Sequence, residues 1–181
     1  MSKGKASARM GVAVAALVLA AVTATVALAG PGGARSTADA AQATAKFHDL
    51  ARAKQAGYGL LKDKNGVACI AMDGMPGMGA MGLHYAKSSL VADGALKVAK
   101  PEALVYAPEN GKLRLAAVEY LVLKPAWDAK HASPPSLFGH RFNVTPAGNR
   151  FGLPAFYSLH AWIWNPNSAG VLEPYNPNAH C

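Results

Sequence analysis

Two strand-like runs joined by a turn occupy residues 104–124, LVYAPENGKLRLAAVEYLVLK. Residues 104–107 and 112–124 are rich in valine, leucine and tyrosine, and Pro108-Glu109-Asn110-Gly111 separates them. Proline fits the front of a tight turn, and Asn-Gly tolerates the positive φ angles that a hairpin needs. The stretch therefore predicts an antiparallel β-hairpin.

The segments around this hairpin predict an α+β fold. Ser36 or Thr37 can cap a helix that continues to about Gln55, where apolar residues recur at helical spacing until Gly57. Further strand-like runs with a period of two lie at residues 67–72, 80–86 and 154–164. Residues 124–152 read as one long ordered loop. We expect an N-terminal helix packed on an antiparallel sheet or a small, partly open barrel.

Length and composition favour one globular domain. The chain has 181 residues, of which 51% are hydrophobic and 15% charged, with 18 glycines and 12 prolines. Such a chain is too apolar for general disorder, and its glycines and prolines are too frequent for a helical bundle or a coiled coil. We assign the domain to residues 39–181.

The N-terminus has the features of a secretory signal peptide. Three basic residues without an acid precede an uncharged stretch from residue 11 to residue 29. Ala27 and Ala29 offer a cleavage site, and Ala38 and Ala40 offer a later one, so we expect a signal peptide at 1–29, cleaved as late as residue 40, and a linker at 30–38. An uncleaved membrane anchor is the weaker alternative, because alanine, glycine and threonine partition poorly into hydrocarbon. The prediction is a secreted or periplasmic protein that contacts the membrane only through this segment if it stays uncleaved.

Charge and cysteine content agree with export. The net charge is +8, but the lysines and arginines are scattered rather than clustered, which argues against a nucleic-acid partner. Cys69 and Cys181 are the two cysteines, and paired thiols of exported proteins tend to oxidise. We predict a structural Cys69–Cys181 disulfide, because the Cys-x-x-Cys pair typical of redox sites is absent.

Glu119 is the residue that points to a functional site. Strict alternation along residues 112–124 places it on the same face as Leu113, Leu115, Ala117, Leu121 and Leu123. A carboxylate in such surroundings must be neutralised, hydrogen-bonded or bound to a cation. His84 and His160 are each central in a predicted strand and have the right chemistry to meet it.

Two histidines and one carboxylate form a metal-ligand set with open coordination positions. Such a set suits zinc, iron, manganese or copper, and we predict a metal or small-ligand site at His84, Glu119 and His160. A metal-free Glu–His pair that satisfies buried polar groups is the structural alternative. Whether the chain is an enzyme is left open, and so is the identity of the ligand.

A second soft-ligand pattern consists of methionines spaced by three, namely Met72, Met75, Met78 and Met81. Thioethers bind copper(I), but methionine also fills irregular gaps in cores. The same segment contains a formal G-x-G-x-x-G at residues 77–82, which a strand-like run follows where a nucleotide-binding unit would have a helix. We interpret both patterns as structural.

The aromatic run near the C-terminus suggests a different function. Phe156, Trp162 and Trp164 share one face of the predicted strand. This face is either core or a platform for a sugar or peptide. The alternative function is therefore a non-enzymatic binding module that uses this strand and residues 125–152 for a partner at the cell envelope.

Several short motifs together resemble a known group of proteins. They are Gly79-Ala80-Met81-Gly82-Leu83-His84-Tyr85, Val118-Glu119-Tyr120, Leu137-Phe138-Gly139, Leu159-His160-Ala161-Trp162-Ile163-Trp164-Asn165-Pro166, Asn176-Pro177 and Cys181. This pattern resembles a group of exported bacterial proteins known only as hypothetical proteins, over about residues 46–181. The resemblance implies export and brings no activity and no catalytic residues.

Overall fold

The computed structural model describes Met1 and residues 36–181 except Asp73 and Pro76. Apart from Met1, the predicted signal peptide lies outside the described residues, as do residues 30–35 of the predicted linker. Residues 36–181 belong to one compact unit. None of the helices in the described part of the chain has the length and apolar character needed to cross a bilayer.

The N-terminal helical region is broken in the middle. Ser36 caps helix α1 (Thr37–Thr44) through a reciprocal capping box with Asp39. A 3₁₀ turn at Ala45–His48 follows, and helix α2 (Leu50–Gln55) starts anew. The predicted continuous helix to Gln55 is therefore wrong at one point. Asp49 has an extended backbone and its side chain accepts from the backbone N–H of Ala51, so it caps a second helix.

A mostly antiparallel sheet forms the rest of the fold, which confirms the predicted α+β class. Its strands are β1 (Gly59–Leu60), β2 (Cys69–Ala71), β3 (Ala80–Ala86), β4 (Ala103–Glu109), β5 (Lys112–Leu123), β8 (Asn143–Thr145) and β9 (Phe156–Ala161), and a separate ribbon contains β6 (Ser136–Leu137) and β7 (His140–Arg141). Short helices α3 (Ser88–Val91) and α4 (Lys124–Asp128) follow β3 and β5. The strand order is β1-β3-β4-β5-β9-β8, and β2 also pairs with β3.

The predicted hairpin is confirmed as β4 and β5. Asn110 and Gly111 have φ angles of 50° and 73°, which suit the two central positions of a tight hairpin turn. Residues 124–152 are more structured than predicted, because they contain α4, the β6–β7 ribbon and β8. Strand β8 pairs with β9 and extends the sheet.

A bulge in the hairpin decides which residues face the site. Val105 pairs with Ala117 and Tyr106 pairs with Leu115, so Ala116 is an extra residue that resets the alternation of β5. Leu113 and Leu115 consequently pack with the core on the opposite side from Glu119. The prediction that Glu119 shares its face with these two leucines is wrong, because strict alternation was assumed.

Different residues pack on the two faces of the sheet. The helix face packs on the N-terminal helices, and the hydroxyl of Tyr106 donates to the carbonyl of Phe47 at 2.6 Å. The opposite face, here called the site face, carries Glu119 and a smaller cluster of mainly alanines, Val105 and Trp162.

The C-terminal segment is fixed beside β2 and β3. The predicted disulfide between Cys69 and Cys181 is confirmed, with the two Cα atoms 5.7 Å apart. Asn176 pairs with Ala80 through two backbone hydrogen bonds and is fully buried. The disulfide and this bridge together hold the C-terminal segment against the sheet.

Candidate metal site

Three strands bring His84, Glu119 and His160 together on the site face. Glu119 of β5 lies directly opposite His160 of the neighbouring β9. His84 belongs to β3, on the other side of β4, where it pairs with Val105. Directly paired residues of antiparallel strands project to the same face, so the sheet register positions the carboxylate beside one imidazole.

The ligand atoms of this group converge. The Nε2 atoms of His84 and His160 lie 3.0 Å apart, and Nε2 of His84 is 3.6 Å from a carboxylate oxygen of Glu119. Nδ1 of His160 is 3.8 Å from the other oxygen of Glu119. One nitrogen or oxygen from each residue lies within 4.8 Å of the other two. This buried group could hold a metal ion.

Burial keeps both imidazoles neutral. His84 and His160 are 3% and 1% exposed. Desolvation lowers the pKa of His84 to about 4; Glu119 opposes this shift, and His160 reinforces it. Desolvation alone lowers the pKa of His160 to about 4. Neutral imidazole is the form that binds metal ions.

Burial shifts the pKa of Glu119 in the opposite direction. Burial raises the pKa of its carboxyl group, although His84 and Ser158 partly counteract the shift. Without a cation the low-dielectric environment favours the protonated acid. A divalent ion at the convergence point would reverse that preference, because it stabilises the carboxylate directly.

Two members of this group border a pocket of about 300 Å³ on the site face, whereas His160 lies behind its wall. His84, Glu119 and Ser158 form part of its lining. Most of the remaining wall is apolar, from Leu61, Ile70, Met81, Leu121, Phe151, Leu153 and Phe156. His84 and Glu119 therefore border the pocket even though their side chains are almost fully buried.

A segment at residues 146–153, here called the strap, forms one wall of the pocket. Asn149 organises it, because its side-chain amide donates to the carbonyls of Pro146 and Leu153 and its oxygen accepts from the N–H groups of Phe151 and Leu153. The strap also contributes Arg150 and Leu153 to the pocket lining.

The strap is attached to the segment between β1 and β2. The Arg150 guanidinium donates twice to one carboxylate oxygen of Asp63, at 3.0 and 2.7 Å. The backbone N–H of Lys64 donates to the carbonyl of Arg150 at 3.0 Å. Because the strap follows β8 at one edge of the sheet, these bonds link it to the opposite edge.

The glycine pattern has a structural explanation, whereas Met75 and Met78 do not fill gaps in the core. Met75 and Met78 are 56% and 40% exposed, and Met81 lines the pocket. A Cβ atom on Gly79 would lie 1.9 Å from the carbonyl oxygen of Asn176, and one on Gly82 would lie 2.7 Å from that of Tyr106. These two glycines allow close approach of the neighbouring backbone.

The aromatic strand belongs to the core. Phe156, Tyr157 and Trp162 are each at most 4% exposed, and the indole N–H of Trp162 donates to the carbonyl of Glu173. Trp164, the third aromatic residue of the predicted platform, is only partly buried and packs edge-on against His48, so the predicted face does not form a continuous exposed platform. This removes the main support for the binding-module alternative, while Phe156 contributes to the pocket wall.

Sequence reasoning missed the Asp63–Arg150 pair and the buried Glu102. Asp63 and Arg150 lie 87 positions apart in irregular segments, where no periodicity indicates which residues meet. Glu102 is 1% exposed, and its carboxylate accepts from the backbone N–H of Leu121 at 3.0 Å. It stands one residue before a strand, so no alternation pattern marked it as buried.

Comparison with known proteins finds no matching family model, no matching curated protein and no matching solved structure. The chemistry of the site is therefore inferred from its geometry.

Proposed function

We propose that this chain binds a divalent transition metal ion through Nε2 of His84, Nε2 of His160 and the carboxylate of Glu119. The observation that carries the proposal is the 3.0 Å separation of two buried, neutral imidazole nitrogens, with a buried carboxylate oxygen 3.6 Å from one of them. Zinc, iron, manganese and copper all accept such a ligand set.

The distances suit coordination to one ion. Two nitrogens 3.0 Å apart can both lie about 2.1 Å from a common ion, with an angle of about 90° at the metal. One ligand atom from each of the three residues lies within 4.8 Å of the other two, so the carboxylate is near enough to join the same ion. Three protein ligands leave coordination positions open, and the pocket beside Glu119 gives water or a small ligand access to them.

The same distance also suits a hydrogen bond between the two imidazoles, which is the metal-free alternative. In that arrangement one Nε2–H donates to the other Nε2, and Glu119 stays buried as the neutral acid. The alternative explains the histidine pair but assigns no role to the pocket that opens beside it. A metal ion explains both the convergence of the three side chains and the access from the pocket.

Metal analysis of protein purified without a histidine tag tests the proposal. We expect about one equivalent of zinc(II), iron(II), manganese(II) or copper(II) per chain, and at least about tenfold weaker binding in His84→Ala and Glu119→Gln. His140→Ala is the matched control, because it also removes one histidine but from an exposed strand. Circular dichroism establishes that each variant is folded.

Two results would reject the metal site. Wild-type protein that binds none of the four ions in stoichiometric amount has no such site. Equal binding by wild type, His84→Ala and Glu119→Gln would place the ion elsewhere.

We also propose that the protein is exported to a secreted or periplasmic location. The basic and then uncharged N-terminus, the resemblance to exported bacterial proteins and the compatibility of the Cys69–Cys181 disulfide with an oxidising compartment support this. N-terminal sequencing of protein from the extracellular or periplasmic fraction is expected to begin between residues 30 and 41. A full-length, reduced chain that stays in the cytoplasm would contradict it.

A further inference from the structure

We propose that the pocket beside the metal site binds a small apolar carboxylate, whose oxygen completes the coordination of the metal ion. This inference rests on the proposed metal site and adds the class of ligand that the site receives. Three features carry it: the volume and lining of the pocket, the charge of the loaded site, and the placement of the polar groups.

The volume and lining select a small molecule with a hydrocarbon body. A cavity of about 150 Å³ lined by aliphatic and aromatic residues accommodates benzene. The present pocket, at about 300 Å³, can hold a ring with substituents. Its apolar wall comes from both the sheet, through Leu121 and Phe156, and the strap, through Phe151 and Leu153. Burying an apolar body there is favourable in proportion to the area removed from water.

The charge of the loaded site selects a monoanion. Two neutral imidazoles and one carboxylate around a divalent ion leave one net positive charge beside a mostly apolar pocket wall. The other charged groups nearby compensate each other, because Arg150 is paired with Asp63. A single negative charge on the ligand neutralises the site, whereas a cationic ligand of the same shape is repelled.

The polar groups place the charged end of the ligand near the metal. Ser158 lies on the same face of β9 as His160 and lines the pocket with Glu119, whose carboxyl group its hydroxyl faces, so these polar groups mark the metal end of the pocket. Asn149 also lines the pocket, but its amide is already engaged within the strap. Carboxylate binding at the metal end and hydrocarbon packing against the strap follow from this arrangement.

Cobalt(II)-loaded protein provides the test, because the visible absorption of cobalt(II) reports a change in its coordination. Benzoate, acetate and benzylammonium are the probes. We expect benzoate to shift the spectrum with an affinity at least about tenfold higher than that of acetate, since acetate lacks the apolar ring. Benzylammonium, which has the ring with the opposite charge, should leave the spectrum unchanged. Metal-free protein should not retain benzoate in equilibrium dialysis.

Two adjacent residues of β8 supply matched variants. Thr145 lines the pocket, whereas Val144 points away from it and is 54% exposed. Thr145→Trp should reduce the affinity for benzoate by at least about tenfold, because the indole fills space that the ring needs, while cobalt(II) binding is retained. Val144→Trp, which adds the same side chain outside the pocket, should bind benzoate like the wild type.

The outcomes separate the two proposals. Protein that fails to bind cobalt(II) overturns the metal site and the ligand inference together. Cobalt(II) binding with equal affinities for benzoate and acetate, or with tight binding of benzylammonium, overturns only the ligand inference. Benzoate binding that Thr145→Trp leaves unchanged places the ligand outside this pocket and also overturns it.

Discussion

The Nε2 atoms of His84 and His160 lie 3.0 Å apart although two strands, β4 and β5, separate β3 from β9. With strands spaced about 4.8 Å apart, the two backbones are about 14 Å from each other, so the imidazoles reach toward one another across the site face. The register places the small residues Val105 and Ala117 on the row that starts at His84. Bulky residues on this row would keep the two rings apart.

The histidine pair predicts a contribution to the stability of the metal-free protein that is lost in mild acid. The pKa of both groups is lowered from 6.5 to about 4 in the folded state. Between these values the unfolded chain binds protons that the folded chain excludes, so the histidine contribution to stability is full above about pH 6.5 and decreases toward pH 4. Each histidine contributes about 1.4 kcal/mol per pH unit in this window.

His160→Gln should therefore flatten the dependence of the unfolding free energy on pH by about 1.4 kcal/mol per unit, even though it lowers stability at neutral pH. Urea unfolding of metal-free protein at about pH 7 and about pH 5 measures the difference. His140→Gln, at an exposed position, should keep the wild-type slope. A His160→Gln slope equal to that of the wild type would mean that the native histidine titrates normally.

Glu102 predicts a contribution to stability that decreases as the pH rises, opposite to that of the histidines. Burial raises the pKa of its carboxyl group from 4.5 to about 8. The native state then holds a proton that the unfolded chain has released, so this group reduces stability as the pH rises from 4.5 toward 8. Glu102→Gln should remove the decline, about 1.4 kcal/mol per pH unit, and be more stable than the wild type near pH 8.

The amide of glutamine fits this position, because its oxygen can still accept from the N–H of Leu121. Glu109→Gln is the control, since the Glu109 side chain is 65% exposed. Urea unfolding curves of the metal-free variants and wild type across this pH range test the prediction. Parallel pH profiles for Glu102→Gln and wild type would show that Glu102 is ionised in the native protein.

The strap should loosen when its attachment to Asp63 is removed. Arg150→Gln deletes the guanidinium that donates to Asp63 and leaves the buried carboxylate without its charged partner. We expect faster hydrogen exchange at the amides of Lys64 and Leu153, which donate to the strap backbone and to Asn149. Amides of the central strand β5 should exchange as in the wild type.

Arg114→Gln is the matched control for this experiment. Arg114 forms an ion pair with Glu109, but both side chains are more than half exposed, so its loss should leave exchange in the strap unchanged. If both variants behave alike, the Asp63–Arg150 contact does not fix the strap.

Gly79 and Gly77 provide a prediction about the C-terminal segment. Both have positive φ angles, 71° and 91°, but a Cβ atom on Gly79 would lie 1.9 Å from the carbonyl oxygen of Asn176, whereas one on Gly77 meets nothing within 4 Å. Gly79→Ala should therefore destabilise the protein by about 2 kcal/mol more than Gly77→Ala, measured by urea unfolding. Equal losses would mean that backbone conformation alone explains both.

Local sequence signals predicted strands β2, β3, β4, β5 and β9, because each is marked by its own neighbouring residues, but they missed the short strands β1, β6, β7 and β8. The Asn110-Gly111 turn and the period-two runs depend on backbone preferences that act within a few residues. The helix break at Asp49 also had a local cause, but helical spacing on both sides concealed it. The bulge at Ala116 is different, since it is defined by the pairing of β5 with β4 and leaves no mark in β5 alone.

The candidate site was predicted from chemistry rather than from topology. The need of a buried carboxylate for a partner led from Glu119 to the two histidines, and the structure brings the three together. The leucine pattern that suggested burial was partly misplaced, because Leu113 and Leu115 lie on the helix face. Glu119 is buried instead by the sheet around it, and it borders the pocket. One wall of that pocket is the strap, whose Arg150 pairs with Asp63, 87 positions away in the sequence.

The Cys69–Cys181 bridge closes residues 70–180 into a covalent ring that contains His84, Glu119 and His160. A protease that cuts one peptide bond inside this ring produces two chains that remain joined through sulfur. The three side chains therefore stay on one molecule after the cut. Reduction of the disulfide would then release the two chains as separate fragments.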